Sequence, residues 1–440
     1  MRRSLIKFIS MKMSYRTVVF LVVLLVVVAT AIIYFKPGGV SNEKRKVGTS
    51  PTDWALEVFD KIQTTYWKKS TENDLASLFG LAIEKVSGDK PGTTLISRKQ
   101  LDELLTKRLL SKTNDERKKF VTDMASVVLY NLPPTGRNSL YTLRDVTALR
   151  NEVKNVDPKK DLYGELGLAK GASTVDVEKS YKKETEKLLA EGTPEAKKKI
   201  AELSYAKKVL TDTDTKANYD TAQIEPTVFT KLLSPEVYYI YISKFSPTTF
   251  DEFVKASDSS DKTKTLKALV LDVRGNIGGA VDIMPYFMGL FLGQNEYAYD
   301  FFYQDIFEPN KTKLGKLPSL SKFKHMVLLT DGLTQSSAEI MTATLKRFNK
   351  AVVVGKTTRG WGTIENTFPI ETIIDPAEKY SLFLVHRITL RDDSQPIEER
   401  GVDPNVDITK SDWKNTLADY VTYQPLFAAV KSIATKPPIK

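Results

Sequence analysis

Two stretches decide how this chain is read: Leu269-Val270-Leu271-Asp272-Val273-Arg274-Gly275-Asn276-Ile277-Gly278-Gly279 and, further on, Thr334-Gln335-Ser336-Ser337-Ala338-Glu339-Ile340. In the first, a β-rich apolar run passes into a glycine turn. Glycines there let the backbone approach a ligand and aim amides at it. The second follows the apolar run Met326-Val327-Leu328-Leu329-Thr330 and opens an apolar helix. The free N–H groups and positive dipole end of a helix start suit a developing anion. A glycine turn after a strand also binds pyrophosphate, but the G-x-G-x-x-G spacing is not met, so a dinucleotide site is discarded. Ser336 stands in a Ser-x-x-Glu setting that fits a helix cap as well as a nucleophile.

Outward from these stretches, strand signals dominate from 228 to 408. They fall at 237–242, 268–273, 326–329, 351–355, 365–370 and 381–390, with helical segments at 249–256, 283–292 and 338–348. Strands alternating with helices predict an α/β core. A last helix is expected over 416–434. Before the core, Ala55, Val58, Phe59, Ile62 and Tyr66 recur at helical spacing, as do Leu75, Leu78, Phe79, Ala82 and Val86. Pro133-Pro134-Thr135-Gly136 ends that pattern. No internal repeat is evident.

Taken with Gly401-Val402-Asp403-Pro404, these segments resemble the core of the tail-specific (carboxy-terminal processing) serine proteases. The resemblance implies an α/β fold of the ClpP/crotonase-like type, preceded by helical domains, and no cofactor. It implies Ser336 as nucleophile. An amide of Gly278 or Gly279, with the N–H of Ser337, would form the oxyanion hole, where one donor contributes on the order of 2.7–4 kcal/mol. The family's base is a lysine within Gly-Lys-Gly. Here that segment is Val354-Gly355-Lys356-Thr357-Thr358-Arg359-Gly360-Trp361-Gly362-Thr363, and Trp361 occupies the lysine's place between glycines. Lys356 falls at the wrong end of the turn.

Another base is therefore sought. The segments on either side of the loop 371–380 read as a hairpin, and symmetric pairing sets Glu365 opposite His386. Opposed residues share a face. Glu365 also occupies the position where the family has a glutamine facing the site. The expectation is a Ser336–His386–Glu365 relay of nucleophile, base and orienting carboxylate. A slip of one residue would turn His386 away. His325, ahead of a buried strand, receives no role.

A second resemblance lies inside the chain. Asp161-Leu162-Tyr163-Gly164-Glu165-Leu166-Gly167-Leu168 and the closing Ala206-Lys207-Lys208-Val209-Leu210-Thr211-Asp212 and Asn218-Tyr219-Asp220 resemble a J domain. Ser173 or Thr174 would cap its first long helix. J domains act on an ATP-driven chaperone through a His-Pro-Asp loop. Here Leu189-Ala190-Glu191-Gly192-Thr193-Pro194-Glu195 has no histidine. A helical spacer or docking module is expected, with its partner open. Tail-specific proteases usually hold a substrate-capturing PDZ domain in this slot.

Composition bounds the rest. The chain has 440 residues, 41% hydrophobic, with net charge +11 and no cysteine. No base-stacking or basic-helix motif accompanies the charge, so no nucleic-acid partner is expected. His325 and His386 are the only histidines, and no zinc site is built from His and Cys alone. Residues 17–35 are an unbroken apolar run, enough to span a bilayer core of roughly 30 Å. Arg2, Arg3, Lys7, Lys12 and Arg16 precede it and would stay cytoplasmic, with the remainder exported. A cleaved signal peptide is the rival reading.

The expected organisation is a basic tail, transmembrane helix and linker (1–50), a helical region (51–157), the J-like unit (158–222), the protease core (223–410) and a C-terminal helix and tail (411–440). The expected function is a membrane-anchored serine endopeptidase acting on exported or membrane polypeptides. The alternative is an inactive pseudoprotease that binds peptides or proteins.

Overall fold

A computed structural model describes residues 50–89, 94–391 and 393–440. The apolar run 17–35 lies outside these residues. Among the described ones, no helix is long and apolar enough to cross a membrane.

Helices α1 (Pro51–Thr65), α2 (Glu72–Ser87), α3 (Arg98–Leu109) and α4 (Asn114–Asn131) come first. Each starts at a Ser or Thr hydroxyl that accepts an N–H from the first turn: Ser50 from Asp53, Thr71 from Asp74, Ser97 from Gln100, Thr113 from Glu116. Their apolar faces bury Trp54, Phe59, Phe79, Leu105 and Met124 together with Leu382, Leu384 and Ile388 from far along the chain. Beyond them the region read as helical yields strand β1 (Ser139–Thr142) before helix α5 (Leu143–Val153).

The J-like unit comprises α6 (Leu162–Glu165), α7 (Thr174–Glu191), α8 (Pro194–Thr211) and α9 (Thr213–Ala222). Ser173 is the cap of α7, accepting from Asp176 N. The unit has its own core of Tyr163, Val177, Leu203, Leu210 and Tyr219, among others. Its two ends meet: Val156 and Ile224 form an antiparallel bridge, and Glu225 N donates to Asn155 O at 3.1 Å.

The core follows as β2 (Val228–Ser234), β3 (Val237–Ile242), α10 (Thr249–Ser259), β4 (Ala268–Asp272), α11 (Met284–Leu292), β5 (Tyr297–Tyr303), β6 (Ile306–Lys311), β7 (His325–Thr330), α12 (Ser337–Arg347), β8 (Val352–Gly355), β9 (Thr363–Pro369), β10 (Tyr380–Thr389), β11 (Val406–Asp407), α13 (Trp413–Tyr420) and α14 (Gln424–Ile433). The expected last helix is thus two, and Pro425 stands in the first turn of the second.

One sheet runs β11-β8-β7-β4-β3-β2, parallel from β11 to β3, with β2 antiparallel at the edge. β3 and β4 are buried along their whole length, as strands covered on both faces must be. Val237, Tyr239, Val270, Val327 and Leu329 alternate onto one face, against Leu417, Leu426 and Val430 of α13 and α14. The second sheet gathers β1, β9 and the β5–β6 hairpin around β10. Parallel β3, β4, β7 and β8 all end at the same sheet edge. The segments that follow them, 243–246, 273–279, 331–336 and 356–361, therefore converge there, where open α/β sheets hold their sites.

Candidate active site

The glycine turn and the serine segment meet. A Cβ built on Gly278 would lie 2.6 Å from Ser336 Cβ, and Ser337 Oγ donates to Gly279 O at 3.2 Å. Buried Asn276 fastens the junction. Its Nδ2 donates to Ile242 O at the end of β3, its Oδ1 accepts Gly278 N, and its carbonyl accepts Gln335 N at 2.9 Å. Asp331 Oδ1 accepts both Gly275 N and Thr334 N, tying the ends of β4 and β7 together.

Ser336 is not built like the other helix starts of this chain. Ser50, Thr71, Ser97 and Thr113 have extended backbones with negative φ and use their hydroxyls as caps. Ser336 has φ +55° and ψ −125°, a conformation that costs a non-glycine residue of order 1–3 kcal/mol. Glu339 N donates to the Ser336 carbonyl at 2.7 Å. A strained strand-to-helix turn with a serine at its apex is the geometry of a nucleophile elbow.

Two amides beside it are unoccupied. Ser337 N opens α12, and neither it nor Gly279 N has a hydrogen-bond acceptor among the described residues. Gly278 does not share this property, since its N–H is spent on Asn276 Oδ1 at 2.8 Å. Of the two glycines expected to supply an oxyanion donor, Gly279 retains the free N–H. Gly278 is instead needed for its missing side chain.

Glu339, fully buried, holds the serine turn to the segment after β8. It accepts Ser336 N at 2.9 Å and Trp361 N at 2.8 Å on one oxygen, and Thr358 Oγ1 and Gly360 N on the other. Burial lifts its carboxyl above the usual range despite these donors. The sequence pattern suggested Glu339 only as a capping partner. Its contacts with 358–361 have no local signature.

Trp361 is pinned on both sides. The Arg137 guanidinium lies 3.4 Å from the centre of its ring, and its Nε1 donates to Glu365 Oε1 at 3.0 Å. Thr363 Oγ1 donates to the same oxygen at 2.5 Å. Desolvation pushes the Glu365 carboxyl up to about 7, against the lowering effect of those donors and of Arg137. Arg137 is in turn paired with Glu398 Oε1 at 2.8 Å, and Glu398 Oε2 accepts Gly362 N. Arg137 and Glu398 carry no sequence motif that marks them; they join the site only because β1 pairs with β10.

The relay expected from the hairpin does not form. Val385, not His386, pairs with Glu365, and the ladder shifts between Val385 and Arg387. His386 is the extra residue of that bulge. Its Nδ1 bonds Arg387 at 2.5 Å and its ring lies edge-on to Phe368, while Glu365 faces Trp361 and Thr363. Burial and the Arg387 charge hold the imidazole down to about 4. The cause of the slip is remote: Asn138 Oδ1 accepts Val385 N at 2.8 Å and Trp67 N donates to Val385 O. His325 stacks on Tyr423.

A cavity of about 780 Å³ lies elsewhere, at the root of the J-like unit, between α5, Glu225 and Lys244, and is lined by none of these residues. No His, Asp or Glu group among the described residues is arranged to hold a metal ion.

Residues 236–408 match peptidase family S41, and residues 161–220 match the DnaJ domain. The core is a peptidase family S41 domain. Carboxy-terminal processing protease CtpA of Bacillus subtilis (strain 168) is 29% identical over 191 residues, 42% of this chain and 38% of that protein. CtpB of the same organism is 29% identical over 185 residues, 42% of this chain and 36% of that protein. The matches thus span well under half of each relative. Among solved structures, a photosystem II D1 C-terminal processing protease shares the fold, with 14% identity, a TM-score of 0.50, and coverage of 82% of this chain and 93% of that one. The S41-matching core is thus similar to tail-specific serine peptidases, with a J-domain-like unit ahead of it.

Proposed function

We propose that the chain is a serine endopeptidase that hydrolyses peptide bonds of exported or membrane polypeptides near their carboxy termini. Ser336 Oγ attacks the carbonyl carbon, and the N–H groups of Gly279 and Ser337 take the developing oxyanion. The observation that carries this reading is the Ser336 turn, strained at φ +55° and packed against Gly278. A backbone forced into that region at a cost is a feature of functional sites. The apolar run 17–35 and its five preceding cations support a single-pass anchor with the S41 domain outside the cytoplasm.

Reaction of the full chain with a fluorophosphonate tests the reading. Peptide mapping should find the phosphonyl group on Ser336, with Ser336→Ala unreactive. The pinned indole of Trp361 favours a second reading, a peptide-binding pseudoprotease. That reading is supported instead if Ser336 stays unmodified under conditions that modify a lysine-dyad relative.

A further inference from the structure

The glycine turn starts from a buried ion pair whose contacts reach beyond the S41-matching residues. Arg274 follows β4 by two residues and directly precedes Gly275-Asn276-Ile277-Gly278-Gly279. Arg274 is 5% exposed and Asp272 is wholly buried. One carboxylate fixes both the backbone and the side chain of the arginine. Asp272 Oδ1 accepts the Arg274 backbone N–H at 3.0 Å and its Nε–H at 2.9 Å, and Oδ2 accepts Nη2–H at 2.5 Å. The direction in which the chain leaves β4 is thereby tied to the setting of the guanidinium.

The other edge of that guanidinium is held from far along the chain. Nη1 lies 3.2 Å from the carbonyl oxygen of Ile433, 3.0 Å from that of Ala434 and 2.5 Å from that of Lys436. These carbonyls cluster at the C-terminal end of α14, where the helix dipole favours a cation. The segment then returns to the sheet. Ile439 N donates to Tyr239 Oη at 3.0 Å, and Tyr239 Oη donates to Asp272 Oδ2 at 2.7 Å. Residues 433–439, all beyond the match at 236–408, thus close a ring through Arg274, Asp272 and Tyr239.

The turn depends on such anchors. Gly275, Gly278 and Gly279 have φ of +71°, +88° and +137°, and glycine has the most conformational freedom to lose. Asp331 holds Gly275 N, and Asn276 holds Gly278 N. After them, Phe245 N donates to Gly278 O at 2.9 Å, and Ala280 N donates to Phe245 O at 2.7 Å. Those anchors all come from within the core. The anchor at the start of the turn is the one that draws on residues 433–439.

We propose that Arg274 is a positioning residue for the oxyanion hole, acting through the turn on the Gly279 N–H, and that residues 433–439 are the socket that sets it. The inference rests on the peptidase reading above and adds to its site a segment outside the matched core. With the socket disturbed, the guanidinium loses carbonyl partners, the start of the turn shifts about Asp272, and the Gly279 amide leaves the line of the developing oxyanion.

The test is the rate of fluorophosphonate modification of Ser336 in the full chain, measured against reagent concentration at a temperature where each variant is folded. Arg274→Lys keeps a cation beside Asp272 but lacks the fork that also reaches the carbonyls. Its maximal rate should fall by about 10–100-fold with the half-saturating concentration unchanged, since a displacement of about 1 Å at a reacting group costs on the order of 100-fold. Ile439→Pro removes only the N–H that Tyr239 accepts and should lower the maximal rate several-fold. A merely structural ion pair would lower the melting temperature and leave the maximal rate alone. A folded Arg274→Lys chain that reacts at the wild-type maximal rate therefore overturns the inference and leaves the peptidase reading standing. Should Arg274→Lys fail to fold, a wild-type maximal rate in Ile439→Pro overturns it equally. Wild type unreactive towards the fluorophosphonate removes the parent reading and this inference together.

Discussion

One carbon atom added at Gly278 would sit 2.6 Å from Ser336 Cβ and 3.0 Å from Gln335 O, on a backbone with φ +88°. Gly278→Ala should therefore destabilise the protein by about 1–3 kcal/mol, read as a fall in melting temperature. It should also slow Ser336 modification, since a displacement of about 1 Å at a reacting atom costs on the order of 100-fold. An alanine variant with unchanged melting and unchanged reactivity would show that the two turns do not pack as described. Glu365 also bears on stability. Its folded value, about 7, lies above the ordinary 4.5, so the native state binds the extra proton between those limits. Stability then declines as pH rises through that window, and Glu365→Gln should abolish the decline. At this scale the glycine turn and the serine segment were legible as a pair, and they pack together. Glu339, Arg137 and Glu398 were not readable as partners, because each acts on residues distant in sequence through contacts that leave no periodic trace.

The elements separate into those fixed by their own pattern and those fixed by a neighbour. β3, β4, β7 and β8 are short apolar runs bounded by turn signals, and the sequence reading finds all four within a few residues of their limits. The β5–β6 hairpin was missed: Tyr297–Tyr303 mixes aromatics with Asp300, and Ile306–Lys311 is largely exposed, so neither shows a clean alternation. The β9–β10 hairpin was recognised, but its register was not. Symmetric pairing about the loop presumes an unbroken ladder. Asn138 and Trp67 take the N–H and C=O of Val385, the ladder bulges at His386, and the imidazole leaves the site. A bulge set by residues of the preceding helical region has no sequence signal within the hairpin itself. The single C-terminal helix failed for a simpler reason. The stretch Val421-Thr422-Tyr423-Gln424-Pro425 keeps apolar spacing while Pro425 starts a new helix.

At the scale of the molecule, the S41-matching core draws on residues before it for its site and is preceded by a unit with its own core. Arg137 lies upstream of residues 236–408, so that domain alone lacks the brace on Trp361. The J-like unit is a different case. Its ends are joined by the Val156–Ile224 bridge, the condition under which insertions are tolerated. It touches the core through Lys160 with Glu225, Lys255 with Asp212 and Asp214, and Tyr205 and Lys208 against Phe229. Replacing residues 158–222 with a short Gly/Ser link should leave a cooperatively folded protein whose Ser336 still reacts, at some cost in melting temperature. A remainder that no longer melts cooperatively would mean that the unit is integral to the fold. The claim on which the rest depends is that Gly279 and Ser337 present their amides to one oxygen beside Ser336. A crystal structure of the Ser336 phosphonyl adduct measures this directly. The account predicts the phosphoryl oxygen at about 2.7–3.1 Å from both Gly279 N and Ser337 N. A phosphoryl oxygen turned to solvent, with both amides still without an acceptor, would contradict it.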